Sequence, residues 1–92
     1  GSSGHSSYAA AKSAVARLTE ALAEEALERE IAVNAVLPGI IDTPANRAAM
    51  PDADPAAWTA PAAIADVIVF LASSQARAIN GALLPVTAAT HE

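Results

Sequence analysis

The chain has 92 residues, ten acidic against five basic side chains for a net charge of −5, and no cysteine. That length allows one small domain burying roughly 60% of its unfolded surface, which leaves it marginal without help. Disulfides and thiolate metal sites are excluded, no basic cluster is present to displace phosphate counterions from a nucleic acid, and no apolar run nears the roughly 20 residues of a membrane-spanning helix.

Gly1 to Ser7 is polar, without the hydrophobic segment of a signal peptide, so a cytoplasmic location is expected. Residues 1–7 read as a tag remnant or a loop. Ser7 is expected to cap a helix that starts at Tyr8 or Ala9, its hydroxyl accepting an orphan backbone N–H. From there to about Glu28 the chain has no glycine or proline. Ala11, Val15, Leu18 and Leu22 make an apolar stripe at helical spacing, flanked by many alanines. Such a helix can approach neighbours closely on more than one side, which points to burial in a larger body or at a subunit interface.

Ile31 to Leu37 is a short apolar run with β-branched residues, stopped by Pro38-Gly39, and reads as a strand buried on both faces. A proline-punctuated stretch from Pro38 to Pro61 follows, long enough to be a lid, a binding loop or disordered, with a helical turn over Asn46 to Met50. Pro61 suits the first turn of a second helix through about Ser73, with Ile64, Val67, Ile68 and Leu71 on its apolar face. Asn80-Gly81 makes a turn, and Ala82 to Val86 is a last short strand whose proline belongs at a sheet edge or strand end. The tail from Thr87 is expected to fray. The order helix, strand, loop, helix, strand predicts a βαβ unit with two parallel neighbouring strands. Two strands with one crossover cannot cover both sheet faces, so the domain is expected to be incomplete, its remainder preceding residue 1.

Tyr8 and Lys12, the only tyrosine and the only lysine, stand one helical turn apart on one face. An ammonium beside a phenol favours the phenolate, and a phenol so tuned can exchange a proton with a carbonyl oxygen while hydride moves at carbon. Taken alone, the pair is a weak pattern that reads more readily as two surface side chains. Downstream, the strand ends in Pro38-Gly39 with Thr43 four residues on, and ligands of open α/β sheets bind outside the carboxyl ends of strands. Pro38 offers a flat wall, Gly39 a close backbone approach and Thr43 a hydroxyl, fit contacts for a nicotinamide ring and its carboxamide. By itself Pro-Gly is also an ordinary strand-terminating turn.

Tyr8-Ala9-Ala10-Ala11-Lys12, the strand Val33 to Val36 running into Pro38-Gly39, Ile40-Ile41-Asp42-Thr43-Pro44, and Asn80 to Val86 together resemble the short-chain dehydrogenase/reductase family, in family order and at family-like spacing. The resemblance implies that residues 8–92 are the C-terminal part of a doubly wound α/β fold of Rossmann type. It implies Tyr8 as catalytic acid/base and Lys12 as its pKa-lowering, ribose-binding partner. Pro38, Gly39, the Ile41 backbone and Thr43 would then cradle the nicotinamide end of NAD or NADP. It further implies a small-molecule carbonyl or alcohol substrate and a homo-oligomer formed through the first helix. Thr43 to Arg47, Met50-Pro51, Ala53-Asp54 and Trp58-Thr59 resemble the dihydropteridine reductase branch, which would make the substrate a pterin.

The sequence departs from the family in lacking the glycine-rich phosphate turn, the residue that selects between NAD and NADP, the serine about a dozen positions before the tyrosine, and the helix asparagine of the proton relay. Asn34 is expected to be structural. Without the phosphate turn, the chain alone is expected to show no turnover and only millimolar dinucleotide binding, and to be oligomeric or partly molten. The competing reading is a non-catalytic interaction module. Met50 and Trp58 either line a substrate lid or pin the loop to the core, and Arg47 and Asp54 either meet a polar substrate or are solvated. His5 and His91 have no metal-ligand partners by spacing, and no metal is expected.

Overall fold

The computed structural model describes the backbone of residues 2–90 and the side chains of residues 9–90. The chain divides into two compact units, Gly1–Ala35 with Arg77–Leu84, and Val36–Ala76 with Pro85–Glu92. Strands β1 (Ala35–Pro38) and β2 (Leu83–Val86) are hydrogen-bonded neighbours in a two-stranded parallel sheet, as the βαβ pattern predicts.

In the first unit, helix α1 spans Ser2–Ala26. It starts earlier than expected, so Ser7 is an interior helical residue and not a cap. Once a helix has nucleated, each added residue costs little, and even Gly4 costs only about 1 kcal/mol relative to alanine. The buried face also differs from the expected one. Ala11, Val15, Leu18 and Leu22 are exposed, Leu18 by 60%, whereas Thr19 and Ala23 are buried and Ala16 and Ala26 half-buried. Backbone comes close against Ala23 on that face: a Cβ added to Gly81 would lie 3.5 Å from the Ala23 Cβ. Gly81 also has φ +76°, a conformation that glycine adopts without the cost an L side chain incurs. The buried Thr19 hydroxyl is satisfied by its own helix, donating to the Val15 carbonyl at 2.7 Å.

The first strand is shorter and less buried than predicted: Ile31 is 51% exposed, and β1 begins only at Ala35 with all four residues half-buried. Two asparagines replace the ladder before it. The Asn80 Oδ1 accepts from the Val33 N–H at 3.0 Å, while Asn34 accepts from the Ala82 N–H at 2.9 Å and donates Nδ2 to the Ile79 carbonyl at 3.2 Å. Gly81 N–H closes the set on the Val33 carbonyl at 2.8 Å. The structural role expected of Asn34 is therefore specific: its amide spans the bend at Gly81 that breaks regular pairing.

In the second unit the proline-rich stretch is ordered. Helix α2 (Pro44–Ala49) and a 3-10 turn (Pro55–Ala57) lie within it, and helix α3 (Pro61–Leu71) follows with proline in its first turn. A parallel bridge joins Ile41 to Thr59, through Asp42 N–H to the Thr59 carbonyl at 2.9 Å and Thr59 N–H to the Ile40 carbonyl at 3.1 Å. Trp58 and Thr59 are among the most buried described residues, at 6% and 2% exposed, so Trp58 anchors the loop and does not face a lid opening. On α3, Ile64 is buried and Val67 and Leu71 half-buried, but Ile68 is 50% exposed. The tail is held to residue 90 and does not fray from Thr87: Thr59 donates its hydroxyl to the Ala88 carbonyl at 2.8 Å, and Ala60 N–H donates to Thr90 Oγ1 at 2.7 Å.

Candidate functional site

The predicted site residues fall on two elements in different units. Tyr8 and Lys12 lie one turn apart in α1, where the run of alanines between and after them favours continuous helix. Lys12 is exposed. The Tyr8 side chain lies outside the described residues. Pro38, Gly39, Ile41 and Thr43 lie together in the second unit, on the segment from the end of β1 to the start of α2.

That segment is held by its own polar groups. Thr43 is the N-cap of α2, its Oγ1 accepting from the Asn46 N–H at 3.1 Å. A hydroxyl that accepts in this way keeps its proton to donate elsewhere. Because Ile40 and Asp42 use their carbonyl and N–H on Thr59, the N–H and carbonyl of Ile41 between them face the opposite side. The Ile41 carbonyl accepts from Asn46 Nδ2 at 2.8 Å, and among the described residues nothing accepts from the Ile41 N–H. Gly39 is exposed, and a Cβ built on it would make only ordinary contact with Thr87 at 3.6 Å, so the fold itself does not require glycine there. The segment thus combines a half-buried proline, a bare backbone position and two hydrogen-bond donors, the Ile41 N–H and the Thr43 O–H.

Arg47 and Asp54 are engaged locally. Arg47 grips Asp42 with a fork, Nε to Oδ1 at 2.6 Å and a second nitrogen to Oδ2 at 2.9 Å. The hydrogen bond to Asp42 and its charge raise the Arg47 pKa above the ordinary value. Asp54 caps the turn at Pro55, accepting from the Ala56 N–H at 3.0 Å. Asn46, Asn80 and Thr59 carry more of the local order than the sequence reading gave them. Of these, Asn80 had a visible signal as the first half of an Asn-Gly turn and Asn46 as the start of the expected helical turn, while the hydrogen bonds their side chains make had none.

A surface groove of about 310 Å³ in the first unit is lined by Leu22, Glu25, Ala26, Arg29, Ile31 and Val33, and holds none of the predicted site residues. Among the described residues, no group of three or more histidine, aspartate or glutamate side chains could hold a metal ion, and no helix is long and apolar enough to cross a membrane.

Comparison with known proteins follows the same outline. The family model described as enoyl-(acyl carrier protein) reductase matches residues 1–89. A 3-oxoacyl-(acyl-carrier-protein) reductase of Pseudomonas aeruginosa is 41% identical over 95 aligned positions, covering 94% of this chain but 38% of the relative. Among solved structures, a 4-hydroxyisoleucine dehydrogenase complexed with NADH superposes with a TM-score of 0.68 at 32% identity, covering 90% of this chain and 37% of that one. A dehydrogenase from Agrobacterium tumefaciens with bound NADP superposes with a TM-score of 0.73 at 41% identity, covering 88% and 37%. The chain therefore spans under two fifths of the length of these relatives, and the two-stranded sheet with its helices corresponds to part of their Rossmann-type fold. On the match along nearly its whole length, this chain belongs to the short-chain dehydrogenase/reductase family.

Proposed function

We propose that this chain, through residues 8–92, forms the proton-transfer and nicotinamide-end part of an NAD(P)-dependent oxidoreductase acting on a small-molecule carbonyl or alcohol in the cytoplasm. The observation that carries the proposal is the segment Pro38 to Thr43. Its Ile41 N–H and Thr43 O–H are two donors fixed within three residues of each other, beside a glycine that the fold does not need. Such a donor set fits a nicotinamide carboxamide. When bound, the dinucleotide supplies or accepts the hydride.

The chain's own residues then divide the remaining work. Pro38 and Gly39 receive the flat ring, and Ile41 and Thr43 fix its rotation by hydrogen bonds. Tyr8 gives its phenolic proton to the substrate oxygen in reduction and takes it back in oxidation. Lys12, one turn along the same helix, holds a positive charge near that phenol, favours its ionised form and donates to the ribose hydroxyls. A pterin-like substrate belongs to the same class of reading, but the loop supports it less. Arg47 is paired with Asp42, Asp54 caps a turn and Trp58 is buried, so the side chains that suggested it have local duties.

A second reading is supported by the exposed stripe Val15, Leu18 and Leu22 on α1. We propose that this face forms a homo-oligomer, which would also cover apolar surface the chain leaves in water. The functional test is a chimera in which these 92 residues replace the aligned segment of the P. aeruginosa reductase. NAD(P)H oxidation dependent on a carbonyl substrate is expected. A chimera that folds and binds dinucleotide but shows no such oxidation contradicts the proposal. The chain alone is expected to bind dinucleotide no better than about millimolar, an affinity of roughly −4 kcal/mol, and micromolar binding would overturn that expectation.

A further inference from the structure

Asn80 is followed by Gly81, whereas Asn34 and Asn46, the other two asparagines, are followed by alanine and arginine. The side-chain amide carbon of an asparagine can be attacked by the main-chain nitrogen of the next residue, and a glycine there offers no side chain to hinder ring closure. Asn80 is exposed and Gly81 half-buried, so water reaches the pair. What restrains the reaction is one residue 47 positions from Asn80. The Val33 carbonyl accepts the Gly81 N–H at 2.8 Å, and the Val33 N–H donates to Asn80 Oδ1 at 3.0 Å. These two bonds act in opposite senses. The one to Oδ1 polarises the amide carbon toward attack, but the attacking species is the Gly81 nitrogen without its proton, and the other bond keeps that proton in place. Ring closure therefore waits until Val33 lets go. Asn34 ties the same bend, through the Ala82 N–H at 2.9 Å and the Ile79 carbonyl at 3.2 Å. We propose that Asn80-Gly81 is a self-modification site gated by the first unit, which deamidates when Val33 leaves the turn and stays intact while Val33 is bound.

In the open unit the Gly81 nitrogen gives its proton to solvent base and bonds to the Asn80 amide carbon, Cγ. The bond from Cγ to the side-chain nitrogen breaks, and that nitrogen takes a proton from solvent and leaves as ammonia. Water then opens the five-membered succinimide. Cleavage between the Gly81 nitrogen and Cγ leaves aspartate, and cleavage between the same nitrogen and the main-chain carbonyl carbon leaves isoaspartate. One water is consumed, one ammonia is released and nothing is oxidised or reduced. The two products differ in consequence. Aspartate keeps an Oδ1 to accept from the Val33 N–H. Isoaspartate routes the main chain through Cγ and adds one atom to it, which puts the Gly81 and Ala82 N–H groups out of step with Val33 and Asn34. An opening that reaches isoaspartate is thus made permanent.

The experiment follows two reactions in the 92-residue chain, deamidation of Asn80 by mass spectrometry and exchange of the Gly81 amide hydrogen by NMR. The tryptic peptide 78–92, released by cleavage after Arg77 and incubated in the same mildly alkaline buffer, gives the rates of the unclamped site. The peptide should deamidate at Asn80 to both products. In the chain, both reactions should be slower than in the peptide by at least about tenfold, and by factors within about threefold of each other, because one opening exposes both. Asn34→Ala should speed both by a common factor, up to the peptide rates if the variant does not fold. Deamidation at the peptide's rate with Gly81 still protected overturns the gating, as does an intact Asn80 beside a freely exchanging Gly81 or a rise in only one rate in N34A. Both reactions running in the chain at the peptide's rates overturn the clamp by Val33, and a peptide that does not deamidate overturns the site itself.

Discussion

Asn34→Ala tests the account of how the first unit is closed. The Asn34 side chain makes two hydrogen bonds, to the Ala82 N–H at 2.9 Å and the Ile79 carbonyl at 3.2 Å, at a half-buried position. A typical intramolecular hydrogen bond contributes about 1 kcal/mol net, and stranding a partner away from water costs up to ~1–3 kcal/mol more. Water can reach part of this site, so the sum is about 2–3 kcal/mol. Asn34→Asp keeps the acceptor and loses the donor, and should cost roughly half as much. Asn80→Ala removes one bond at an exposed residue, Val33 N–H to Oδ1, and should cost about 0.5–1 kcal/mol. Urea denaturation followed by far-UV circular dichroism reads all three. With a slope near 1 kcal/mol per molar, N34A lowers the midpoint by about 2–3 M, or unfolds the chain outright if its margin is smaller. A midpoint shift in N34A no larger than that of N80A would refute the reasoning, because it would mean that the bend at Gly81 holds without the Asn34 bridge.

Gly81→Ala should destabilise by about 1–2 kcal/mol, because φ is +76° there, even though the new methyl would meet Ala23 only at ordinary contact distance; thermal unfolding measures it. Trp58→Ala should cost about 3–5 kcal/mol and release the loop, seen as rapid amide exchange at Thr59 and Asp42. Leu18→Glu, at a side chain 60% exposed, should leave protomer stability within about 0.5 kcal/mol while shifting sedimentation toward monomer. If the sedimentation coefficient of L18E matches that of the unsubstituted chain, the α1 stripe is not the association face.

Most of the element order was legible because it rests on strong local signals. Pro61 opened α3 where its missing N–H costs nothing, Pro38-Gly39 stopped the strand, and the alternation of helix and strand dictated parallel pairing. What the sequence hid was tertiary. Apolarity alone favours Val15, Leu18 and Leu22 as the buried stripe of α1, yet Thr19 and Ala23 are buried, Ala23 with the backbone of Gly81 close against it. The strand over Ile31 to Leu37 looked continuous, and its first part is instead tied by the amides of Asn34 and Asn80, contacts across more than forty residues that no local pattern displays. In the candidate site, type and spacing singled out Pro38, Gly39 and Thr43 and the family resemblance added Ile41, and these four lie on one segment from the end of β1 to the start of α2. The hydrogen bond from Asn46 to the Ile41 carbonyl was not legible, because it depends on which way the Ile41 peptide faces.

The central claim is that Tyr8 moves the proton, and one substitution in the chimera with the P. aeruginosa reductase addresses it directly. Tyr8→Phe removes a single hydroxyl and keeps the ring. It should lower kcat by about 10²–10⁴-fold, the range of a general acid–base contribution, while dinucleotide affinity changes by less than about threefold. A Tyr8→Phe chimera that turns over within about threefold of its parent would contradict the account.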